Sequence, residues 1–584
     1  MDLPIINWSI FAMSVLGAVA LVIALAKLRS SLLLFRATPR SLRKNPRVAR
    51  LLASQIPFYE YGPERFFCAD DAPAEVAERR HAGFMRLSEI YQRKFAKTNR
   101  ATDEVRADIS DLQFTDSKRV PFQFSGFVHK HLRFGGFLES SSGVTITDLD
   151  GNIFYDLAAS YGVNVFGYDF YKDTIDSGME RARGLGPVLG EYHTALLYNV
   201  RRLKEISGLD EISFHMSGTE AVMQAVRLAR YHTGRSHLVK FCGAYHGWWG
   251  DVQPGVGNPV PAHETYTLTE MSDDSLRVLR TRRDIACVLI NPVQALQPNA
   301  GPHADYAQYS APDDSAPDSA PVSKAGTGSA HIGRGAYASW LRQLRAVCAE
   351  RKIVLIFDEV FVGFHLALGG AQEYFGVRAD LVIYGKTVGG GLPVGVVCGR
   401  HDLMKRFRDD RPLDVCFARG TFNSHPYVMA TMREFLERID SPDVKELYKD
   451  LDAIWDRRTD QLNQRLQVEG VPVRVANISS IWTVFYTQTF RYNWMLQYYL
   501  RAEGLALSWT GTGRIIFSLN YTQADFDEVV DRFVAAANTM RQDGWWWTDN
   551  SATSKSGTRR VIREMLLQRL LLRKLRKAKS RYRK

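Results

Sequence analysis

The chain has 584 residues, of which 45% are hydrophobic and 24% charged, and its formal net charge is +12. This length and apolar content exclude an intrinsically disordered protein and allow a large domain together with a smaller one. The six cysteines are scattered, without a CxxC pair or neighbouring histidines. That distribution excludes a disulfide scaffold and predicts reduced thiols and no metal site.

The first segment of the chain is a long uncharged stretch. Residues 5–26 contain no charged side chain, and as a helix they would extend about 33 Å, enough to cross the ~30 Å hydrocarbon core of a bilayer. A cleavable signal peptide starts with basic residues, whereas only Asp2 precedes this stretch. A buried core helix, the other alternative, is rarely apolar on all sides at an extreme N-terminus. We therefore predict a transmembrane anchor at residues 1–28.

Basic residues are concentrated at the two ends of the chain. Residues 27–50 carry eight lysines and arginines without an acid, and residues 559–584 carry twelve with only Glu564. These segments contribute +8 and +11, which leaves −7 of the net +12 for the remainder. The positive-inside rule predicts a single crossing of the inner (cytoplasmic) membrane, with the folded body in the cytoplasm. In an anchored chain, basic ends favour anionic membrane lipid, and we expect no nucleic-acid partner.

A candidate phosphate-binding element begins at Ser217. The stretch SFHMSGTEAVMQAVRLARYHTG is typical of a strand followed at once by a helix, which starts at Ser217, Gly218 and Thr219 and ends near Gly234. Free backbone N–H groups and hydroxyls at the start of a helix bind phosphate well. The same residues would also serve as an ordinary helix N-cap, so the pattern alone leaves both interpretations open.

Residues 353–400 carry the strongest chemical pattern. One apolar run ends in Asp358, and a second run, a helix-length segment later, ends in Gly385 and Lys386. Runs that are apolar on both faces predict parallel strands, and ligands bind beyond the carboxyl ends of such strands. A lysine and a carboxylate at neighbouring strand ends match pyridoxal phosphate (PLP), whose aldehyde bonds to the amine and whose ring nitrogen pairs with the acid. The alternative is a structural ion pair at Asp358 and a solvated Lys386.

Several longer motifs carry a resemblance to a known family. They are DEV…GF from Asp358, ALGGAQEYFGV from Ala367, GK…GGGLPVG from Gly385, SGTEA from Ser217 and FCGAYHGWWGD from Phe241. Over about residues 120–540 the chain resembles class III (ornithine-type, fold-type I) PLP-dependent aminotransferases. Phe361 stands where the ornithine and GABA branch usually has Gln, which favours the glutamate-1-semialdehyde 2,1-aminomutase branch. The resemblance implies an α/β large domain with a mainly parallel sheet and a small α+β domain.

The resemblance also implies roles for individual residues. Lys386 and Asp358 would be catalytic, with Lys386 bonded to the cofactor and moving the proton. The cofactor would be bound by Ser217, Gly218, Thr219, Tyr245, His246, Asp358, Val360, Lys386, Gly420 and Thr421. The Gly420-Thr421 pair would reach the cofactor phosphate of the neighbouring subunit, which implies a homodimer; an ordinary turn is the alternative for this pair. Tyr161 would face the substrate, with a core tyrosine as its alternative.

These observations divide the chain into successive segments. They are a transmembrane anchor (1–28), a basic juxtamembrane and helical connector (29–120), the N-terminal part of the small domain (121–175), the PLP-binding large domain (176–410) with a flexible insertion (298–335), the C-terminal part of the small domain (411–548) and a basic tail (549–584). The insertion is rich in Ala, Pro, Ser and Asp, a composition typical of a flexible surface loop. The tryptophans at 545–547 either cap the core or contact lipid headgroups.

The predicted function is transfer of an amino group from an amino donor to a carbonyl acceptor. Because a soluble acceptor gains little from an anchored enzyme, we expect a lipophilic carbonyl. The alternative is a glutamate-1-semialdehyde-type 2,1-aminomutase, from which three positions depart. Asn291 stands where the family usually has Glu, His365 where aminomutases have Arg, and residues 509–513 lack their C-terminal carboxylate. A catalytically dead membrane scaffold is a third interpretation, which the complete set of motifs disfavours.

Overall fold

The part of the chain described by a computed structural model comprises residues 8–39, 42, 46–253, 258, 260, 262–292, 334–487, 491–508, 513–548 and 559–571. Its helices are α1 (Trp8–Ala37), α2 (Pro46–Ser54), α3 (Pro63–Phe67), α4 (Ala74–Lys94), α5 (Ala96–Arg106), α6 (Ser110–Lys118), α7 (Phe122–His131), α8 (Ala159–Gly162), α9 (Tyr168–Ala182), α10 (Ala195–Ser207), α11 (Gly218–Thr233), α12 (Asp273–Thr281), α13 (Arg334–Arg351), α14 (Gly370–Phe375), α15 (His401–Met404), α16 (Pro426–Arg438), α17 (Pro442–Leu447), α18 (Leu451–Val468), α19 (Leu496–Ala502) and α20 (Gln523–Gln542). Its strands are β1 (Leu138–Ser142), β2 (Thr145–Asp148), β3 (Ile153–Asp156), β4 (Glu211–His215), β5 (His237–Phe241), β6 (Thr265–Leu268), β7 (Ile285–Ile290), β8 (Val354–Asp358), β9 (Leu381–Gly385), β10 (Gly395–Gly399), β11 (Phe407–Arg408), β12 (Arg411–Val415), β13 (Val473–Ile478), β14 (Ile481–Tyr486), β15 (Leu505–Ala506) and β16 (Arg514–Ile516). Most of the predicted insertion 298–335, and residues 509–512, lie outside the described residues.

A seven-stranded sheet forms the centre of the large domain, in the order β4-β10-β9-β8-β7-β5-β6. Strands β6, β5, β7, β8 and β9 pair in parallel, whereas β10 runs antiparallel to both of its neighbours. Both faces of the sheet are buried: Val354 and Ile356 of β8 pack in one apolar cluster and Leu355 and Phe357 in another. The sheet is therefore mainly parallel, as the sequence predicts, with β10 as the exception.

The small domain combines segments that are far apart in the sequence. Strand β3 pairs in parallel with β15, so that Tyr155 lies opposite Leu505. Strands β2 and β3 form a hairpin, and Gly151 in its turn has φ +83°, a value that favours glycine. Helix α20 begins with a capping box in which Thr522 and Asp525 each accept the other's backbone N–H, as expected for a stable helix start.

Helices α3 to α7, between residues 63 and 131, pack tightly on this small domain. Phe84 and Tyr91 are fully buried, and the Tyr91 hydroxyl donates to the Tyr498 carbonyl at 2.9 Å. Trp545 is also fully buried. The segment predicted as a connector is thus part of the folded body, and Trp545 caps the core rather than contacting lipid.

Helix α1 is a long apolar helix whose last turn joins the large domain. Residues Val15–Ala37 have a mean hydropathy of 2.0 over their most apolar window, none of which is buried. By length and composition this helix could cross a membrane, although a signal sequence would pass the same test. It continues beyond the predicted boundary at residue 28 to Ala37, which is buried and whose carbonyl accepts the Thr269 N–H at 2.9 Å.

The described part of the basic tail is a helical segment, residues 559–571. Glu564 attaches this segment to the folded body, because its Oε2 accepts from Arg491 Nη2 at 2.8 Å and from the Tyr61 hydroxyl at 2.6 Å. Its Oε1 lies 3.3 Å from Arg65. The one acid among residues 559–584 therefore contacts Tyr61 and Arg65, which precede the small domain, as well as Arg491.

Candidate functional site

The two predicted catalytic residues lie at the ends of adjacent strands. Strands β8 and β9 pair in parallel with Asp358 opposite Ile383, so Asp358 ends one strand and Lys386 follows directly after the other. Asp358 is buried; its Oδ2 lies 2.7 Å from His246 Nδ1, and its Oδ1 accepts the Val360 N–H at 3.1 Å. A buried carboxylate with fixed donors is held in one orientation, as pairing with a ring nitrogen requires.

Lys386 is held in a mixed polar and aromatic environment. Its Nζ donates to the Tyr161 carbonyl at 2.5 Å and lies 4.8 Å from the centroid of the Phe361 ring. Burial lowers the pKa of Lys386 to about 8; Asp358 opposes this shift and Arg514 adds to it. A larger fraction of the amine is consequently neutral at physiological pH than in an ordinary lysine, as a nucleophile needs.

The start of α11 forms the predicted phosphate-binding element. Ser217 is the N-cap, and its Oγ accepts the Glu220 N–H at 3.3 Å. A Cβ on Gly218 would lie 3.0 Å from Val360 Cγ1, and a Cβ on Gly247 would overlap Thr219 Oγ1. These close approaches bring the helix start beside the segments that follow β5 and β8. The first N–H groups of a helix have no partner within it, so this end can bind an anion.

The loop after β5 contributes an aromatic ring and a histidine. Tyr245 is 59% exposed, whereas His246 is buried. Burial lowers the pKa of His246, although the hydrogen bond to Asp358 and its charge oppose the shift. The contact with Asp358 assigns the proton to Nδ1, because the carboxylate accepts. His246 Nε2 is buried without a hydrogen-bond partner among the described residues.

Tyr161 belongs to a short segment with unusual backbone geometry. Ala159, Ser160 and Tyr161 have φ values of +43°, +46° and +59°, which are rare for residues with a Cβ and cluster at functional sites. The Tyr161 side chain is 51% exposed, so it is not a core tyrosine, and its carbonyl accepts from Lys386. The prediction that Tyr161 faces the substrate remains a prediction.

Gly420 and Thr421 form the pair predicted to reach a neighbouring subunit. Both are exposed in the turn before α16, and the nearest atom to a Cβ on Gly420 would be Asn423 Oδ1 at 2.8 Å. The role of this pair at a neighbouring subunit's cofactor remains a prediction.

Two further residues lie near Lys386, and the sequence analysis assigned neither of them a role in the site. Arg514 opens β16, its guanidinium carbon lies 5.2 Å from the Phe361 ring centroid, and burial lowers its pKa to about 10. His365 was noted only as a departure; it is buried, with Nε2 3.2 Å from the Gly162 carbonyl oxygen and its pKa lowered to about 4 by burial. A neutral His365 therefore braces the segment that carries Tyr161. The only sequence signal for Arg514 is an arginine directly before an apolar strand.

Comparison with known proteins identifies the family. The model of the family described as "Aminotransferase class-III" matches residues 128–251 and 333–537, more than half of the chain. The chain belongs to the class III aminotransferases. This class III aminotransferase is 31% identical over 372 residues to the glutamate-1-semialdehyde 2,1-aminomutase of Desulfotalea psychrophila, covering 60% of this chain and 76% of the relative. It is 29% identical over 410 residues to that of Methanococcus maripaludis, covering 66% and 84%.

Solved structures share the fold. A glutamate-1-semialdehyde aminomutase from Pseudomonas aeruginosa aligns with a TM-score of 0.60 at 18% identity, covering 79% of this chain and 99% of the other. An omega-transaminase from Sphaerobacter thermophilus aligns with a TM-score of 0.58 at 22% identity, covering 76% and 98%. The predictions of a fold-type I enzyme and of the class III family are confirmed.

The residues present fit PLP, which confirms the predicted cofactor. The buried Asp358 carboxylate would hold the ring nitrogen, Lys386 supplies the amine for the aldehyde, and the helix start at Gly218 would receive the phosphate. A Cβ at Gly247 would overlap Thr219, and a Cβ at Gly218 would be tight against Val360, as expected of a closely packed phosphate site. The chain is therefore a PLP-dependent enzyme.

Proposed function

We propose that this enzyme moves an amino group within a carboxylate-bearing substrate, in the manner of glutamate-1-semialdehyde 2,1-aminomutases. The observation that carries the proposal is the Arg514 guanidinium beside Lys386, with both cations on the Phe361 ring. A guanidinium group is suited to bind a carboxylate through two parallel hydrogen bonds. The names of the aminomutase relatives, at 28 to 31% identity, support the same reaction.

In this proposal each side chain of the site has a separate role in the reaction. PLP, when bound, withdraws electrons from the substrate carbon that loses its proton. Asp358 keeps the ring nitrogen protonated, and His246 holds Asp358 in place. Lys386 carries the proton between carbon atoms, since its pKa of about 8 allows it both to accept and to release a proton near neutral pH. The Tyr161 carbonyl orients the amine through their hydrogen bond.

A second candidate is transfer from a separate amino donor to a lipophilic carbonyl acceptor at the membrane. The apolar helix α1, with mean hydropathy 2.0, and the basic residues around it support this candidate, since together they would hold the enzyme on the cytoplasmic face of an inner membrane. Two departures from the aminomutases, His365 and Asn291, also favour a different substrate.

The subunit arrangement is part of the proposal. Gly420 and Thr421 are exposed near three prominent apolar side chains, Leu413 (96% exposed), Phe417 (71%) and Phe422 (51%). Exposed apolar surface of this kind marks an interface. We propose a homodimer in which this turn reaches the partner's cofactor phosphate. Mixing Lys386→Ala protein with Thr421→Val protein should restore part of the activity, whereas demonstrated mixed dimers without activity would contradict a shared site.

One experiment separates the two candidate reactions. Full-length PLP-loaded enzyme receives glutamate 1-semialdehyde with a ¹⁵N amino group, first alone and then with an unlabelled amino donor. An aminomutase forms 5-aminolevulinate without a donor. If only donor-dependent amination of added long-chain aldehydes is seen, the second candidate replaces the first. Lys386→Ala is the control, because it should abolish both reactions; residual turnover in that variant would refute the assignment of the site.

A further inference from the structure

A cavity of about 400 Å³ is lined by none of the residues predicted for the catalytic site. It is formed by the helices α5 to α7, the segment after α7 and one residue of α19. Its charged lining includes Asp103, Arg106, Asp116, Arg119 and Arg133. All except Arg133 precede residue 128, where the family match begins. The charged wall of the cavity is therefore supplied mostly by the N-terminal extension of this chain.

The ion pairs of the cavity leave one arginine without a carboxylate. Asp103 pairs with Arg106 at 3.2 Å and also with Arg133, and Asp116 pairs with Arg106. Arg119 has no carboxylate partner within the part of the chain that the structure describes. Its guanidinium carbon instead lies 4.4 Å from the Phe134 ring centroid. Arginine stays charged in proteins, so this guanidinium retains donors that an anion can occupy.

The charge of the lining fits a single negative charge. Burial lowers the pKa of His129, and Arg106 and Arg119 lower it further, so the imidazole is neutral near pH 7. The three arginines and two aspartates of the lining then leave one positive charge. Arg501, whose guanidinium carbon lies 5.1 Å from the Phe134 ring, adds to the positive potential. The remaining walls, such as Leu132 and Phe134, are apolar.

We propose that this cavity binds a carboxylate carried on an apolar body, with Arg119 as its main ligand. The Asp103 and Arg133 side chains are 45% and 37% exposed, so a solute can enter on their side. A carboxylate bound here would occupy a site that the extension adds to the family's catalytic unit.

Benzoate is a suitable probe, because it combines one carboxylate with an aromatic body, and benzamide is its neutral analogue. Binding to full-length PLP-loaded protein is measured by calorimetry. We expect benzoate to bind at least about tenfold more tightly than benzamide, and Arg119→Met to weaken benzoate by at least about tenfold. Arg100→Met is the matched control, since Arg100 is exposed on α5, a helix that contributes to the cavity wall, but does not itself line the cavity. It should leave the affinity unchanged.

Two further variants locate the site and keep the test decisive. Arg514→Met should leave benzoate binding unchanged, which separates this cavity from the catalytic site. Asp103→Asn should raise the affinity for benzoate several-fold, because it removes one negative charge and frees Arg133. If Arg119→Met does not fold, Asp103→Asn and Arg119→Lys replace it in the test. The proposal is overturned if benzoate and benzamide bind with equal affinity, or if the Arg119 variants bind benzoate unchanged. It is also overturned if Arg514→Met loses benzoate binding. The readout is binding, so its outcome is independent of the proposed reaction.

Discussion

Lys386 should capture PLP with a pH dependence centred near 8. Burial lowers its pKa from 10.5 to about 8, and only the neutral amine attacks an aldehyde. At pH 7 the neutral fraction is then about 10% instead of about 0.03%, a difference of roughly 300-fold. Full-length apo-protein is mixed with PLP between about pH 6 and 10, trapped with borohydride and weighed by mass spectrometry. The capture rate should rise about tenfold per pH unit and level off above about pH 8.

The neighbouring charges give this prediction a sign test. Asp358 stabilises the ammonium form, so Asp358→Asn should move the midpoint to lower pH. Arg514 destabilises it, so Arg514→Met should move the midpoint to higher pH. Arg277→Met, an exposed change on α12, should not move it. A rate that still climbs above about pH 9 in the wild type, or shifts of the same sign in both site variants, would refute the electrostatic reasoning.

Three further substitutions test the cofactor site and the core. His246→Phe should weaken PLP binding about tenfold, because the buried Asp358 loses a hydrogen-bond donor; fluorescence titration measures this, and His246→Asn should restore part of the affinity. Gly218→Ala should also weaken PLP binding, since the new methyl would lie 3.0 Å from Val360 Cγ1, and adding Val360→Ala should relieve the defect. Trp545→Ala should lower the free energy of unfolding by about 3–5 kcal/mol, whereas Trp248→Ala, at a 77% exposed side chain, should change it by less than about 0.5 kcal/mol in urea unfolding. A wild-type PLP Kd in His246→Phe would contradict the His246–Asp358 contact. Failure of Val360→Ala to relieve the Gly218→Ala defect would contradict the Gly218–Val360 contact. Equal losses of unfolding free energy in the two tryptophan variants would contradict a core role for Trp545.

The parts of the site that could be predicted are those written in local sequence. Asp358 and Lys386 each end a buried strand, and parallel neighbours place such ends side by side, so two local signals sufficed. Arg514 could not be predicted, because its contact with Phe361 exists only once the small domain packs against the large one. The packing of the helices before residue 131 on the small domain could not be predicted either, because the Tyr91–Tyr498 hydrogen bond joins residues 407 positions apart. Helix propensity predicts that such segments are helical, but it does not predict which part of the protein they pack against.

The N-terminal helix should prove to have two separable roles, one in location and one in stability. Every residue from Val15 to Leu28 is exposed, whereas Leu33 and Leu34 pack on the core and the Ala37 carbonyl accepts the Thr269 N–H. A variant lacking residues 1–28 should therefore keep the unfolding free energy of the full chain. A variant lacking residues 1–39 should lose about 1–3 kcal/mol, since a buried donor is left unpaired and apolar contacts are removed.

The shorter truncation then isolates the role of the membrane. If the acceptor is lipophilic, full-length enzyme in liposomes should aminate long-chain aldehydes faster than short ones, because the anchor places the site where such acceptors concentrate. The variant lacking residues 1–28 should lose this dependence on chain length while it retains its rate on short acceptors. Equal rates of both forms on long-chain aldehydes would contradict a role for the anchor in substrate supply. Activity of both forms only on short acidic carbonyls would instead support the aminomutase-type reaction, since Arg514 would then bind the carboxylate of a soluble substrate.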